Sequence, residues 1–92
     1  MPEAEVKRQS QFLEAEKERL LAHYDKAIDR YEKFLYNNPE VDAAWYGLAR
    51  SFAAKEDYVK AQDAIEKAIV KSPDNQWYRI FQADIFGKTG RH

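Results

Sequence analysis

The chain has no cysteine, and only three of its 92 residues are glycine and three are proline. Without thiols it can form neither disulfide bonds nor thiolate metal sites, and a cysteine nucleophile is excluded. The scarcity of Gly and Pro, with 45% hydrophobic and 34% charged residues, is typical of a helical protein and not of a β-sandwich or a disordered tail. A chain of this length forms one small domain. We therefore expect a single all-α domain.

The chain also lacks excess charge and long apolar runs. Fifteen Lys and Arg oppose sixteen Asp and Glu, which gives a formal net charge of −1. This balance produces no strong field to hold nucleic acid or an anionic membrane. No apolar run approaches the roughly 18 residues of a membrane span, and the start MPEAEVKRQSQ lacks the apolar core of a signal peptide. We expect a soluble protein, with the cytoplasm favoured, that neither inserts into a membrane nor binds nucleic acid.

Two short polar segments interrupt the helical pattern: NNPE at 37–40 and KSPDN at 71–75. Pro combined with Asn, Asp or Ser ends one helix and caps the next. The two prolines, Pro39 and Pro73, are 34 residues apart, and the same interval relates many other positions. Identical residues recur at Tyr24 and Tyr58, Lys26 and Lys60, Ala27 and Ala61, Glu32 and Glu66, Lys33 and Lys67, Phe52 and Phe86, and at Ala15, Ala49 and Ala83. The chain therefore contains an internal repeat.

Within each period the apolar residues, spaced three and four apart, indicate two helices with one buried stripe each. A weak break at KEDY (55–58) corresponds to AHY (22–24) one period earlier. The predicted helices lie at about 8–21, 24–36, 41–54, 58–70 and 76–87. Because neither Gly nor Pro separates the first two, one continuous helix over 8–36 is an open alternative.

Within residues 45–73, large and small apolar residues and a closing proline recur at characteristic spacing: Trp45, Leu48, Ala49, Phe52, Ala61, Ile65 and Pro73. In residue type and spacing this segment resembles the tetratricopeptide repeat. The resemblance implies a right-handed helical-hairpin solenoid of about five helices in one domain. A disordered tail at 1–7 would precede two repeats, at about 8–41 and 42–75. A partial third repeat would follow at 76–92. Because the third repeat is incomplete, we expect a fragment of a longer array.

Small residues are expected where helices approach closely, with large residues filling the gaps beside them. The predicted close-approach positions are Ala15, Ala27, Ala49, Ala61 and Ala83. The predicted fillers are Tyr31, Trp45, Leu48, Phe52 and Ile65. Gly47 belongs to neither set. The first helix carries Gln11, Glu14 and Glu18 where the pattern has large apolar residues, so it resembles a polar end-capping helix.

The resemblance implies a function in binding another protein or a peptide on the concave face of the first helices. Tyr, Trp and Arg dominate binding hot spots, and they guide the choice of contact residues. The predicted partner-binding residues are Phe12, Tyr46, Arg50, Trp77, Ile80 and Asp84. An alternative for Trp77 is burial in the core. The Lys, Asn and Arg residues that clamp a chaperone's carboxyl-terminal tail in related repeats are absent from the corresponding positions, so this ligand is not expected.

Catalytic and metal-binding patterns are missing. His23 and His92 form no His-x-x-x-His or Glu-x-x-His pair on a helix, so no metal site is predicted. The carboxylates alternate with Lys and Arg as on a solvated helix face, and the sequence has no Ser-His-Asp set or phosphate-binding loop. We expect neither enzymatic activity nor a cofactor.

The last predicted helix, WYRIFQADIFGK, is apolar on several sides and has only one preceding hairpin to cover it. The sequence therefore predicts self-association, as a homodimer, through Phe81, Ile85 and Phe86 of this helix. A structural or oligomerisation module without a groove ligand is the alternative to the binding scaffold. Apolar exposure confined to the terminal helix would favour that alternative.

Overall fold

The computed structural model of the protein describes residues 2–90, which form five α-helices and no β-strand. The helices are α1 (Glu3–Leu20), α2 (Tyr24–Asn37), α3 (Asp42–Ala54), α4 (Tyr58–Lys71) and α5 (Gln76–Thr89). Consecutive helices pack against one another along the chain. The predicted all-α class, the number of helices and the helical-hairpin repeat are confirmed.

Across residues 2–90, no helix combines the length and the apolar character that a membrane crossing needs.

Helix α1 begins earlier than the sequence pattern predicted. Residues 3–7, expected to be disordered, form its first turns. Glu3 and Glu5 stand near the helix N-terminus, where negative charge interacts favourably with the unpaired N–H groups. Glu5 also forms an ion pair with Arg8 at 2.7 Å, one turn further on. Local electrostatics therefore extends a helix that the apolar pattern alone could not detect.

The turn after α1 excludes one continuous helix over 8–36. Ala22 adopts a left-handed conformation with φ of 63°, and the His23 N–H donates to the Glu18 carbonyl at 2.8 Å. The same geometry recurs at Glu56, also with φ of 63°, and Gly90 has φ of 75°. These three residues are spaced by 34, so the repeat includes the helix-ending turn. Gly suits this conformation, whereas Ala22 and Glu56 adopt it with strain.

We expect Glu56→Gly to stabilise the protein by about 0.5–1 kcal/mol. Glycine relieves the left-handed strain of roughly 1–2 kcal/mol, and the greater freedom of glycine in the unfolded chain offsets part of the gain. Urea unfolding would measure the change. Glu56→Ala is the matched control and should give no such gain, because alanine retains the strained Cβ. Equal stabilisation by both variants would contradict this explanation.

The core follows the predicted small-and-large pattern with one exception. Ala15, Ala27, Ala49 and Ala61 are fully buried, as are the fillers Tyr31 and Ile65, while Leu48 is 4% exposed. Trp45 and Phe52 are half-buried against the core. Ala83, however, is exposed, so its prediction as a close-approach position is wrong. Ala15 and Ala49 lie on helices that are each followed by a packed helix, whereas none follows α5 within residues 2–90.

Candidate functional site

Aromatic side chains connect α3 and α5. The Tyr46 ring of α3 lies 4.9 Å from the Tyr78 ring and 5.6 Å from the Phe81 ring of α5, measured between centroids. The Tyr78 hydroxyl donates to Asp42 Oδ2 at 2.5 Å. Tyr78 is only 5% exposed, and burial, reinforced by the Asp42 carboxylate, raises the pKa of its hydroxyl. Tyr46 is thus held in place by α5.

Arg50 lies one turn after Tyr46 on α3, and its guanidinium carbon is 5.6 Å from the centroid of the Tyr46 ring. This distance suits a cation–π contact. The Arg50 side chain is exposed, and no acidic side chain of residues 2–90 forms an ion pair with it. The arrangement orients an available guanidinium above a fixed ring.

Trp77, Ile80 and Asp84 recur three and four residues apart and so share one face of α5. Trp77 is 65% exposed and Ile80 is 57% exposed, while Tyr78 and Ile85 are buried on another face. Burial of Trp77 in the core, the alternative left open by the sequence, is therefore wrong. We use the name Tyr46 face for the predicted binding residues of α3 and α5, two helices that contact each other through the Tyr46 ring: Tyr46, Arg50, Trp77, Ile80 and Asp84.

Phe12, the remaining predicted contact residue, packs within the first hairpin. Its ring lies 5.6 Å from the Phe34 ring and 6.4 Å from the Tyr31 ring. It is half-buried and lines an open cleft of about 340 Å³ together with Leu13 and Val41. Phe12 thus serves mainly to join α1 to α2.

Gly47, which the sequence pattern did not explain, faces the Tyr31 ring. A Cβ atom at this position would lie 2.7 Å from Tyr31 Cε1 and closer still to Cζ and the hydroxyl oxygen. The Tyr31 hydroxyl donates to Glu16 and accepts from Arg19 Nε at 3.0 Å. Burial, together with the Glu16 contact, raises the pKa of Tyr31, whereas Arg19 opposes the rise. The glycine therefore makes room for a buried tyrosine.

A groove of about 540 Å³ borders Trp45, on a different face of α3 from Tyr46. Trp45 Nε1 donates to the Pro39 carbonyl at 2.8 Å, and Lys67 Nζ lies 4.8 Å from the centre of the indole. Tyr36, at the groove, is 88% exposed. Sequence reasoning missed this groove because it assigned Trp45 entirely to packing.

The predicted self-association residues of α5 differ in accessibility. Ile85 is 1% exposed and Phe81 is half-buried beside Tyr46. Phe86 is half-buried and lines a cleft of about 200 Å³ with Tyr58 of α4. Ile85 lines the same cleft but is buried, so Phe86 is the more accessible of the two, and homodimerisation through these residues stays a prediction.

His23 pairs with a carboxylate without forming a metal site. Its Nδ1 lies 3.2 Å from Glu18 Oε1, and this hydrogen bond lowers the pKa of the Glu18 carboxyl. Within residues 2–90, no cluster of three or more His, Asp and Glu side chains is arranged to hold a metal ion. His92 lies outside the described residues.

No protein-family model matches the chain. The chain is similar to Superkiller protein 3 of Schizosaccharomyces pombe (strain 972 / ATCC 24843), with 29% identity over 70 residues. The aligned part is 76% of this chain but only 5% of that protein, so the chain spans about one twentieth of its relative's length. The aligned length corresponds to about two periods of the repeat. The five-helix fold fits a tetratricopeptide-like repeat.

Proposed function

We propose that the Tyr46 face binds an extended polypeptide segment of another protein, without catalysis and without a cofactor. The observation that carries the proposal is the exposure of Trp77 and Ile80 on α5, the helix that packs against Tyr46. Arg50 lies over the same Tyr46 ring. Large apolar side chains exposed next to a pre-oriented arginine are typical of interaction hot spots. The tetratricopeptide-like pattern of residues 45–73 supports the same role.

The chemistry of the Tyr46 face suggests what the segment carries. Trp77 and Ile80 offer apolar surface for an aliphatic or aromatic side chain. The guanidinium of Arg50 offers two coplanar N–H donors that fit a carboxylate. Because Arg50 already contacts the Tyr46 ring, its side chain loses less conformational entropy when the segment binds. We therefore propose a segment in which an acidic residue lies close to an apolar one.

Peptide selection tests this function without a known partner. A random peptide library displayed on phage is selected against the immobilised chain, and the affinity of the enriched peptides is measured by calorimetry. We expect enrichment of peptides that combine acidic and apolar residues. Arg50→Ala and Trp77→Ala should each weaken their binding more than about fivefold, corresponding to about 1 kcal/mol, because both truncate a contact residue without opening the core.

Tyr36→Ala is the matched control, since it also removes an exposed aromatic ring but at the Trp45 groove. It should leave the affinity unchanged, and all three variants should keep the helicity of the parent. If Tyr36→Ala weakens binding while Arg50→Ala does not, the peptide occupies the Trp45 groove and the proposal is wrong. Loss of folding in Trp77→Ala would show that this residue supports the core instead.

A structural module without a groove ligand is the second candidate. The exposure that the sequence analysis set as its criterion, confined to the terminal helix, is not observed, because the exposed large apolar residues of the described chain are Val6, Leu13, Leu20, Leu21, Tyr36, Val59, Val70, Trp77 and Ile80. The observation that favours an assembly role is instead the apolar exposure on α1, at Val6, Leu13 and Leu20. The two candidates are compatible, because α1 and the Tyr46 face involve different residues.

A further inference from the structure

Helix α1 carries a row of exposed apolar side chains that the proposed peptide site does not use. Val6, Leu13 and Leu20 are 49%, 63% and 74% exposed. They are spaced by seven residues, close to two helical turns, and therefore form one stripe along α1, here named the α1 stripe. The opposite side of α1 is committed to the core through the fully buried Ala15. Hydrophobic side chains of this size, aligned along 18 helical residues, offer a surface for another helix.

We propose that the α1 stripe is a homodimer interface in which α1 of a second copy packs antiparallel, with the twofold axis passing through Leu13. Leu13 is equally distant in sequence from Val6 and Leu20. A twofold axis at Leu13 therefore places Leu13 against its own counterpart and each Leu20 against the Val6 of the other copy. The stripe is complementary to itself, as a twofold-symmetric interface requires. The spacing of seven also suits two helices that cross at about 20°.

Charge at the two ends of α1 favours the antiparallel orientation. The first turn is acidic, with Glu3 and Glu5, and the last turn is basic, with Lys17 and Arg19. Antiparallel pairing brings the first turn of each copy beside the last turn of the other. Parallel pairing would bring the two acidic turns together and the two basic turns together, which is unfavourable. Part of this end charge is already neutralised within α1, because Glu5 is paired with Arg8 and Lys17 lies 4.0 Å from Glu14. Arg19 is directed inward to Tyr31, so the preference of the end charges for antiparallel pairing is modest.

Sedimentation equilibrium of the full chain, up to millimolar concentration, tests the dimer. We expect a mass approaching twice that of one chain. Leu13→Glu should raise the dissociation constant at least about tenfold, because each dimer would bury two opposed carboxylates at its centre. Val70→Glu, which places the same charge at a 75% exposed apolar site on α4, should leave the dimer intact.

Disulfide cross-linking tests the orientation, since the chain has no cysteine of its own. Leu13→Cys should oxidise to a covalent dimer, because the two Leu13 positions meet at the axis. Val6→Cys alone and Leu20→Cys alone should remain single chains, since each lies about 21 Å from its counterpart. An equal mixture of these two variants should cross-link. This pattern is independent of any effect of a glutamate on folding.

Three results would overturn the proposal. The first is a chain that remains monomeric throughout the concentration range. The second is efficient cross-linking of Val6→Cys with itself, which would indicate parallel pairing. The third is a dimer that Phe86→Glu dissociates and Leu13→Glu does not, because the interface would then lie at α5.

Discussion

We expect Gly47→Ala to destabilise the protein by roughly 2–4 kcal/mol, although alanine is the better helix former. In an open helix the same change would stabilise by up to about 1 kcal/mol. Here the added methyl group would overlap with the Tyr31 ring, which is fully buried and hydrogen-bonded to Glu16 and Arg19. Either the Tyr31 ring moves out of its buried position or α2 and α3 move apart. Both changes remove packing contacts from the core. Chemical unfolding monitored by circular dichroism would measure the loss.

Gly87→Ala is the matched control, because Gly87 is also within a helix but has no atom within 4 Å of a built Cβ. It should stabilise the protein by up to about 1 kcal/mol through helix propensity alone. A double-mutant cycle extends the test. In a Tyr31→Ile background the ring is gone, so Gly47→Ala should cost little. An equally large loss in that background would show that Tyr31 is not the cause.

The repeat made most of the fold predictable. A 34-residue interval between Pro39 and Pro73, with two apolar stripes per period, was sufficient for the number and order of the helices. The start of α1 was not predictable in this way, because residues 3–7 are helical through end charges and an ion pair and not through a buried stripe. The exposure of Ala83 was also missed, since a repeat pattern describes a position within the period and not whether a neighbouring helix is present.

The Tyr46 face was partly predictable from the sequence. Helical spacing placed Tyr46 and Arg50 on one face of α3, but not the contact of their side chains with each other. The fit of Tyr31 to Gly47 was missed, although the signal is present: 34 residues later the same two positions hold the smaller Ile65 and the larger Phe81. Comparing side-chain volumes between the repeats would have revealed this compensation. Contacts between helices depend on such pairs, which periodicity alone does not identify.

The stability of the protein should fall steeply above about pH 10, through Tyr31 and Tyr78. The pKa of both hydroxyls is raised in the folded state, first by burial and then by a hydrogen-bonded carboxylate, Glu16 for Tyr31 and Asp42 for Tyr78. A raised pKa means that the folded state holds its proton when the unfolded state has lost it. The stabilisation is complete below the unfolded pKa of about 10 and is lost as the pH rises through the folded pKa.

Between these two pKa values each tyrosine lowers the free energy of unfolding by up to about 1.4 kcal/mol per pH unit. We therefore expect Tyr31 and Tyr78 to form a late group that ionises only as the helices unfold, in a titration that follows tyrosinate absorbance and circular dichroism together. Tyr78→Phe should leave Tyr31 alone in this late group and make the free energy of unfolding less dependent on pH. At neutral pH the same variant should be less stable, because it loses the hydrogen bond to Asp42. Tyr36→Phe, at an 88% exposed site, should leave the ionisation of Tyr31 and Tyr78 unchanged. If Tyr31 and Tyr78 ionised near pH 10 while the helices were still folded, burial and the two carboxylate contacts would not be holding their protons, and the explanation would be wrong.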